Sequence, residues 1–183
     1  MDPFLSESPA IDHGDAAIRA LAAELRTDDP VETARRSFAW VRDRIHHTYD
    51  RPSDDVTCSA SEVLRAGTGL CYAKSHLLVA LLRANGIPSA LAYQRLPSDG
   101  RFVLHGLVAC LLPRFGWYLC DPRGGEIGKD ARFDPPEERL VYAGPGVVRV
   151  PGLFPEPLPA VVDALRRHRT FAEISAHLPD WTG

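Results

Sequence analysis

A chain of 183 residues that is 45% apolar and 25% charged has the material for a buried core and no charge excess that would keep it unfolded. A net charge of -3 and a pI near 6.1 give no basic surface for a phosphate backbone or an anionic membrane, so neither nucleic acid nor membrane is expected as a partner. No apolar run reaches bilayer length, Met1 to Glu7 lacks the basic and apolar regions of a signal peptide, and the four cysteines are irregularly spaced, so free thiols in the cytoplasm are expected.

Asp12 to Asp15 offer N-caps, after which Ile18, Leu21, Ala22 and Leu25 recur at helical spacing up to Arg26. Thr27 to Pro30 breaks that helix and starts a second. There Val31, Ala34, Phe38, Val41 and Ile45 form one apolar stripe as far as His46. His46 to Pro52 reads as the exit into an extended or irregular segment. Ser59 and Glu62 stand at capping-box spacing before Val63 and Leu64, and Gly67 stops that short helix. Cys71 opens the strongest helix, filled by Leu77, Leu78, Leu81 and Leu82 and ended by Asn85-Gly86 ahead of Pro88. Cys71, Lys74, Ser75, Leu78 and Leu82 share roughly one face, so the thiol is expected along a partly buried surface.

Beyond Pro88 the period becomes that of strands. Ser89 to Leu96 is the first, and Pro97-Ser98-Asp99-Gly100 signals a turn. Phe102 to Leu112, apolar on both faces, reads as a central strand. Pro113 to Gly116 turns the chain into a third strand, Trp117 to Asp121, ended by Pro122 to Gly125. A loop-rich stretch follows, with one short strand predicted at Arg139 to Tyr142. Leu158 to Arg167 and Phe171 to Leu178 read as terminal helices over the core. Phe38, Trp40 and Trp117 are expected in the core. Helices followed by an antiparallel meander make an α+β fold.

A thiol at a helix N-terminus meets the positive end of the helix dipole, which favours thiolate, so Cys71 has the setting of a nucleophile. An inert buried cysteine has the same appearance. His105 sits in the apolar second strand, where a buried imidazole needs a partner. With three or five residues in the following connection, Asp121 faces Leu107 and lies one diagonal from His105 on the same face. A four-residue connection without a bulge puts them on opposite faces. Cysteine as nucleophile, histidine as proton shuttle and aspartate as orienting group make a set for acyl transfer, with the Cys71 and Tyr72 amides as oxyanion donors.

Gly69-Leu70-Cys71-Tyr72-Ala73-Lys74-Ser75, Leu104-His105-Gly106-Leu107 and Tyr118-Leu119-Cys120-Asp121-Pro122-Arg123-Gly124 together resemble the transglutaminase-like superfamily of papain-like cysteine enzymes. The resemblance runs from about Phe38 to Pro136 and includes Trp40 to Ile45. It implies a cysteine-bearing helix packed on an antiparallel sheet, with Cys71 as nucleophile, His105 as general base and acid and Asp121 as orienting residue. The family also holds crosslinking enzymes, peptidases, amidases and members without catalysis. The expected substrate is therefore a peptide, a protein or a small amide, with hydrolysis and transamidation both open. A non-catalytic peptide- or protein-binding domain and an arylamine-acetyltransferase-like chemistry are the alternatives.

Tyr72 and Gln94 are further oxyanion candidates. Lys74 lowers the thiol pKa, binds substrate or is simply solvated, and Arg123 and Arg132 are candidates to grip a substrate carboxylate. His76 points away from Cys71 on its helix and is not the base. His46-His47 at a helix end reads as solvated or capping, and Cys110 and Cys120 in neighbouring strands as two free thiols. No metal-ligand spacing is present, and no metal or cofactor is implied. One domain over 1–183 is expected, with a core of about 31–142, an N-terminal helix within 1–30 and a C-terminal helical extension over 143–183.

Overall fold

The computed structural model describes residues 2–124 and 130–181. Met1, Gly125 of the predicted turn and Gly183 therefore lie outside the described residues. Helix α1 (Ala16–Leu25) is capped by Asp15, and α2 (Pro30–Arg44) by Asp29 with Pro30 in its first turn. Strand β1 (His46–His47) follows, then α3 (Ala60–Ala66), whose Ser59–Glu62 capping box makes both of its hydrogen bonds. Gly67 ends α3 in the left-handed region at φ 67°, and β2 (Thr68–Gly69) pairs in parallel with β1. That pairing sets the entry to α4 (Cys71–Ala84).

α4 is the centre of the molecule. Every residue from Cys71 to Arg83 is buried, with α1, α2 and α3 packed on it and a sheet across its other side. The periodicity led us to expect a partly buried face. Instead the helix is enclosed all round, as a helix apolar on every side must be. Some of its polar groups reach backbone: Arg83 donates to the carbonyls of Ser6, Ser89 and Pro155, and His76 Nδ1 meets the Cys58 carbonyl at 2.7 Å. Ser75 Oγ and His76 Nε2, by contrast, are buried without a hydrogen-bond partner among the described residues.

The sheet has the order β5-β4-β3-β8, from β3 (Ser89–Ser98), β4 (Arg101–Leu112), β5 (Gly116–Cys120) and β8 (Val148–Arg149). Asp99-Gly100 joins β3 to β4 with φ of 46° and 77°, the two positive values of a tight hairpin turn. Leu112 pairs with Gly116 across the next hairpin, which leaves a three-residue connection, Pro113 to Phe115. Arg114 takes φ 70° there and Gly116 φ 72°.

The predicted strand at Arg139 to Tyr142 is replaced by a small hairpin of β6 (Arg132–Asp134) and β7 (Glu137–Arg139). β8 pairs with Gln94 and Arg95 through residues exposed to solvent, so no apolar alternation announces it. Trp117 is not in the core. It is 39% exposed on edge strand β5, whose alternate residues Tyr118 and Cys120 take the inward face, and it packs edge-on against Phe4 at 4.9 Å. Helices α5 (Pro159–Arg167) and α6 (Phe171–Ala176) close the chain over the core, and Arg95 pairs bidentately with Asp180. Among the described residues, no helix is long and apolar enough to cross a membrane.

Candidate active site

Cys71 is the first residue of α4. The N-cap is Leu70, which makes no side-chain cap, whereas Asp15, Asp29, Ser59 and Thr170 cap their own helices. The first amides of a helix have no intrahelical partner, so the start of α4 presents donors that no side-chain cap consumes. Cys71 is 7% exposed, and its Sγ accepts a hydrogen bond from the Gly106 amide at 3.4 Å.

The strand register explains that amide. Ser98 and Arg101 flank the tight turn, so odd-numbered residues of β4 bond toward β3 and even-numbered ones face the other way. β5 ends at Cys120, opposite Val108, so Leu104 and Gly106 have their N–H groups on an edge that β5 does not cover. Leu104 donates to the Pro179 carbonyl at 2.8 Å and accepts from the Tyr72 hydroxyl. Gly106 donates to Cys71. A Cβ at position 106 would stand 3.1 Å from Tyr72 Cα, 3.2 Å from its N and 3.3 Å from the Cys71 carbonyl carbon. A glycine therefore lets the start of α4 rest directly on β4.

His105 precedes that glycine. Its Nε2 lies 2.8 Å from Asp121 Oδ2, in a pair that is almost wholly buried. The three-residue hairpin continues the register to set Asp121 opposite Leu107, just past the end of β5. Asp121 Oδ1 accepts from the Arg123 amide at 3.0 Å, and Oδ2 also accepts from the Val141 amide at 3.0 Å. Burial works to raise the Asp121 pKa, but the charge and hydrogen bond of His105 and the two amides outweigh it and hold the carboxyl below its usual range. Burial likewise works against the imidazolium of His105. The charges of Asp121 and Cys71, with a hydrogen bond donated by the ring to each, overcome it and push the pKa up to about 10. Nε2 is taken by Asp121, so Nδ1 is the ring nitrogen left to meet the thiol. The Tyr142 ring packs edge-on against His105 at 4.8 Å.

The other candidates separate. Tyr72 lines the cleft, but its hydroxyl is committed to Leu104. Gln94 pairs with His105 across β3 and β4, yet its amide group donates to the Tyr142 carbonyl at 3.4 Å and it lines a neighbouring pocket instead of the cleft. It is not placed to donate to an oxyanion. Lys74 is 1% exposed and gives its ammonium to the carbonyls of Arg42, Ile45 and Arg123, so it is neither solvated nor a substrate grip. Burial and the nearby Arg123 lower its pKa to about 7. Arg123 is buried and paired bidentately with Asp50, at 2.5 and 3.0 Å, while Arg132 pairs with Asp130 on the surface. Arg123 is thus committed to Asp50 where it lines the cleft, and Arg132 does not line the cleft. Burial drives His76 down to about 4, which keeps it neutral against the Cys58 carbonyl. His47 Nδ1 accepts from the Tyr49 amide, and Cys110 and Cys120 are free.

A cleft of about 620 Å³ lies over Cys71 and His105. Leu96, Pro97, Val103, Val147 and Leu178 give it an apolar wall, and Tyr49, Asp50 and Arg123 a polar end. Gly106, Tyr142, Asp50 and the Val141 amide are parts of the site that the sequence reading missed. Only Gly106 left a signal, as a lone glycine inside an apolar strand beside a histidine.

The sequence profile of the transglutaminase-like superfamily matches residues 19–122, a segment that holds Cys71, His105 and Asp121. The chain belongs to the transglutaminase-like superfamily. No curated protein matches the sequence. Among solved structures similar to this superfamily member, a candidate cysteine protease from Cytophaga hutchinsonii superposes with a TM-score of 0.56 at 19% identity, over 80% of this chain and 44% of that one. The periplasmic domain of TgpA from Pseudomonas aeruginosa gives 0.48 at 25% identity, over 65% and 45%. This chain therefore spans less than half the length of either. The first likeness shows a shared fold.

Two outcomes follow from this geometry. Gly106→Ala should cost about 1–3 kcal/mol in urea unfolding, because the added methyl meets helix backbone that cannot swing aside. An unchanged stability would show that α4 has room to move. For His105, a folded pKa of about 10 lies above the unfolded value of about 6.5. The stabilisation is then fully present below about pH 6.5 and is lost as pH rises through about 10. The gap in unfolding free energy between wild type and His105→Gln should shrink by more than about 1 kcal/mol from pH 6 to pH 10. A gap constant with pH would contradict a charged His105.

Proposed function

We propose that this protein is a thiol-dependent acyl-transfer enzyme acting on an amide or peptide bond. The observation that carries the reading is that the Cys71 thiol, held by the Gly106 amide at 3.4 Å, shares the floor of one cleft with His105, which is paired to the Asp121 carboxylate at 2.8 Å. A raised His105 beside an ionised Asp121 favours an imidazolium facing the sulfur of Cys71. The Cys71 thiolate attacks the carbonyl carbon, and the C=O pair moves onto oxygen. The uncapped amides at the start of α4 serve as donors to that developing charge. As the C–N bond breaks, His105 gives its proton to the leaving amine, and the acyl group remains on sulfur as a thioester. Water or an amine then attacks the thioester, His105 takes its proton, and the thiolate is released with the acid or the new amide. Asp121 holds the imidazole in one orientation throughout.

Limiting iodoacetamide near pH 6, where an ordinary thiol is almost wholly protonated, tests this directly. Cys71 should be alkylated at least about tenfold faster than free cysteine, and His105→Ala should abolish the advantage. The buried Cys58, Cys110 and Cys120 should stay unlabelled. A Cys71 no faster than free cysteine would sink the proposal. Consumption of acetyl-CoA with an arylamine would redirect it to acetyl transfer.

A further inference from the structure

The acyl-transfer chemistry makes no use of one buried charge that lies one helical turn beyond the thiol. The chain holds nineteen arginines and two lysines, and one of those two lysines is at this enclosed position. Lys74 directs its three N–H donors to three carbonyls from two stretches of chain: Arg42 and Ile45 at the end of α2, at 3.3 and 2.5 Å, and Arg123 in the turn after β5 at 3.2 Å. An ammonium suits three converging acceptors, whereas the planar fork of a guanidinium spreads its five donors apart.

The Arg123 end of this strut matters most. Arg123 is held at three points: its carbonyl by Lys74, its guanidinium by Asp50, and its amide by Asp121 Oδ1. The amide bond is one of the three hydrogen bonds that fill Asp121, and the Asp121 carboxylate in turn holds His105. The same turn is pressed onto α2 at Gly124, where a Cβ would stand 2.3 Å from Arg42 Cγ. Lys74 therefore ties the helix that carries Cys71 to the turn that carries Asp121.

We propose that Lys74 is a positioning residue: its ammonium, bound to the Arg42, Ile45 and Arg123 carbonyls, sets the Asp121 turn against α4 so that His105 meets the Cys71 thiol. It acts through Arg123 and Asp121 and does not itself touch substrate. The inference rests on the acyl-transfer reading of the same site.

The test compares wild type with Lys74→Arg, which keeps a buried cation, and Lys74→Gln, which keeps an amide donor without charge. The rate of Cys71 alkylation by iodoacetamide is followed from about pH 5 to 9, per folded molecule, alongside urea unfolding. A residue that merely supports the fold changes the unfolding midpoint and leaves the rate and its pH profile in the folded molecules alone. A positioning residue changes both. Each variant that folds should react at least about tenfold more slowly near pH 6, with its profile moved toward that of free cysteine. Either variant folding and reacting with the wild-type rate and profile would overturn the role of Lys74. A wild-type Cys71 without enhanced reactivity would instead overturn the acyl-transfer reading, so the two failures are distinguishable.

Discussion

An ionised carboxylate taken out of water costs several kcal/mol unless its lone pairs are filled, and Asp121 is completely buried. Three donors fill it: the Arg123 amide in the turn after β5, the Val141 amide from the segment beyond the β6–β7 hairpin, and His105 Nε2 from the centre of β4. These donors are brought together only when the sheet, the turn and the following loop are all in place. Breaking any one of the contacts leaves a buried charge short of a partner, a costly state. Fold and site are thus stabilised by the same contacts, and the ionised Asp121 favours a charged His105 against the cost of burying it.

The second constraint is the closeness of α4 to β4. With Cys71 at the first position of the helix and Gly106 beneath it, backbone meets backbone with no side chain between. That contact lets a strand amide donate to Cys71 Sγ and puts the start of the helix next to the cleft. The bare edge of β4 that supplies this amide is closed at Leu104 by the carbonyl of Pro179, and Leu178 beside it lines the cleft. The C-terminal segment is therefore part of the wall of the site as well as a cover for the core.

Much of this was legible because its signals are local. The capping box at Ser59, the Asn85-Gly86 stop and the Asp99-Gly100 turn are short patterns with one favoured geometry. The face of Asp121 depended on the length of the β4–β5 connection, and that length is three residues. What escaped the sequence is held by distant contacts. Val141 and Tyr142 lie in a loop without periodicity, and they reach His105 and Asp121 only through tertiary packing. Lys74 misled for a different reason. A helical wheel places its Cα near the face of the thiol, but a four-carbon stem carries the charge to carbonyls at the end of α2 and in the turn after β5. Arg123 looked like a free cation because its partner, Asp50, is far away in sequence.

The central claim is that the charges of Asp121 and Cys71, acting against burial, keep His105 charged in the resting protein. The most direct measurement is the protonation of the His105 ring nitrogens, read by nitrogen NMR on histidine-labelled protein at neutral pH. The account predicts that both ring nitrogens carry protons in wild type, and that the titration midpoint falls when Cys71 is replaced by alanine, because one of the two charges that favour the imidazolium is removed. A His105 with a single ring proton at neutral pH, unchanged by Cys71→Ala, would contradict it.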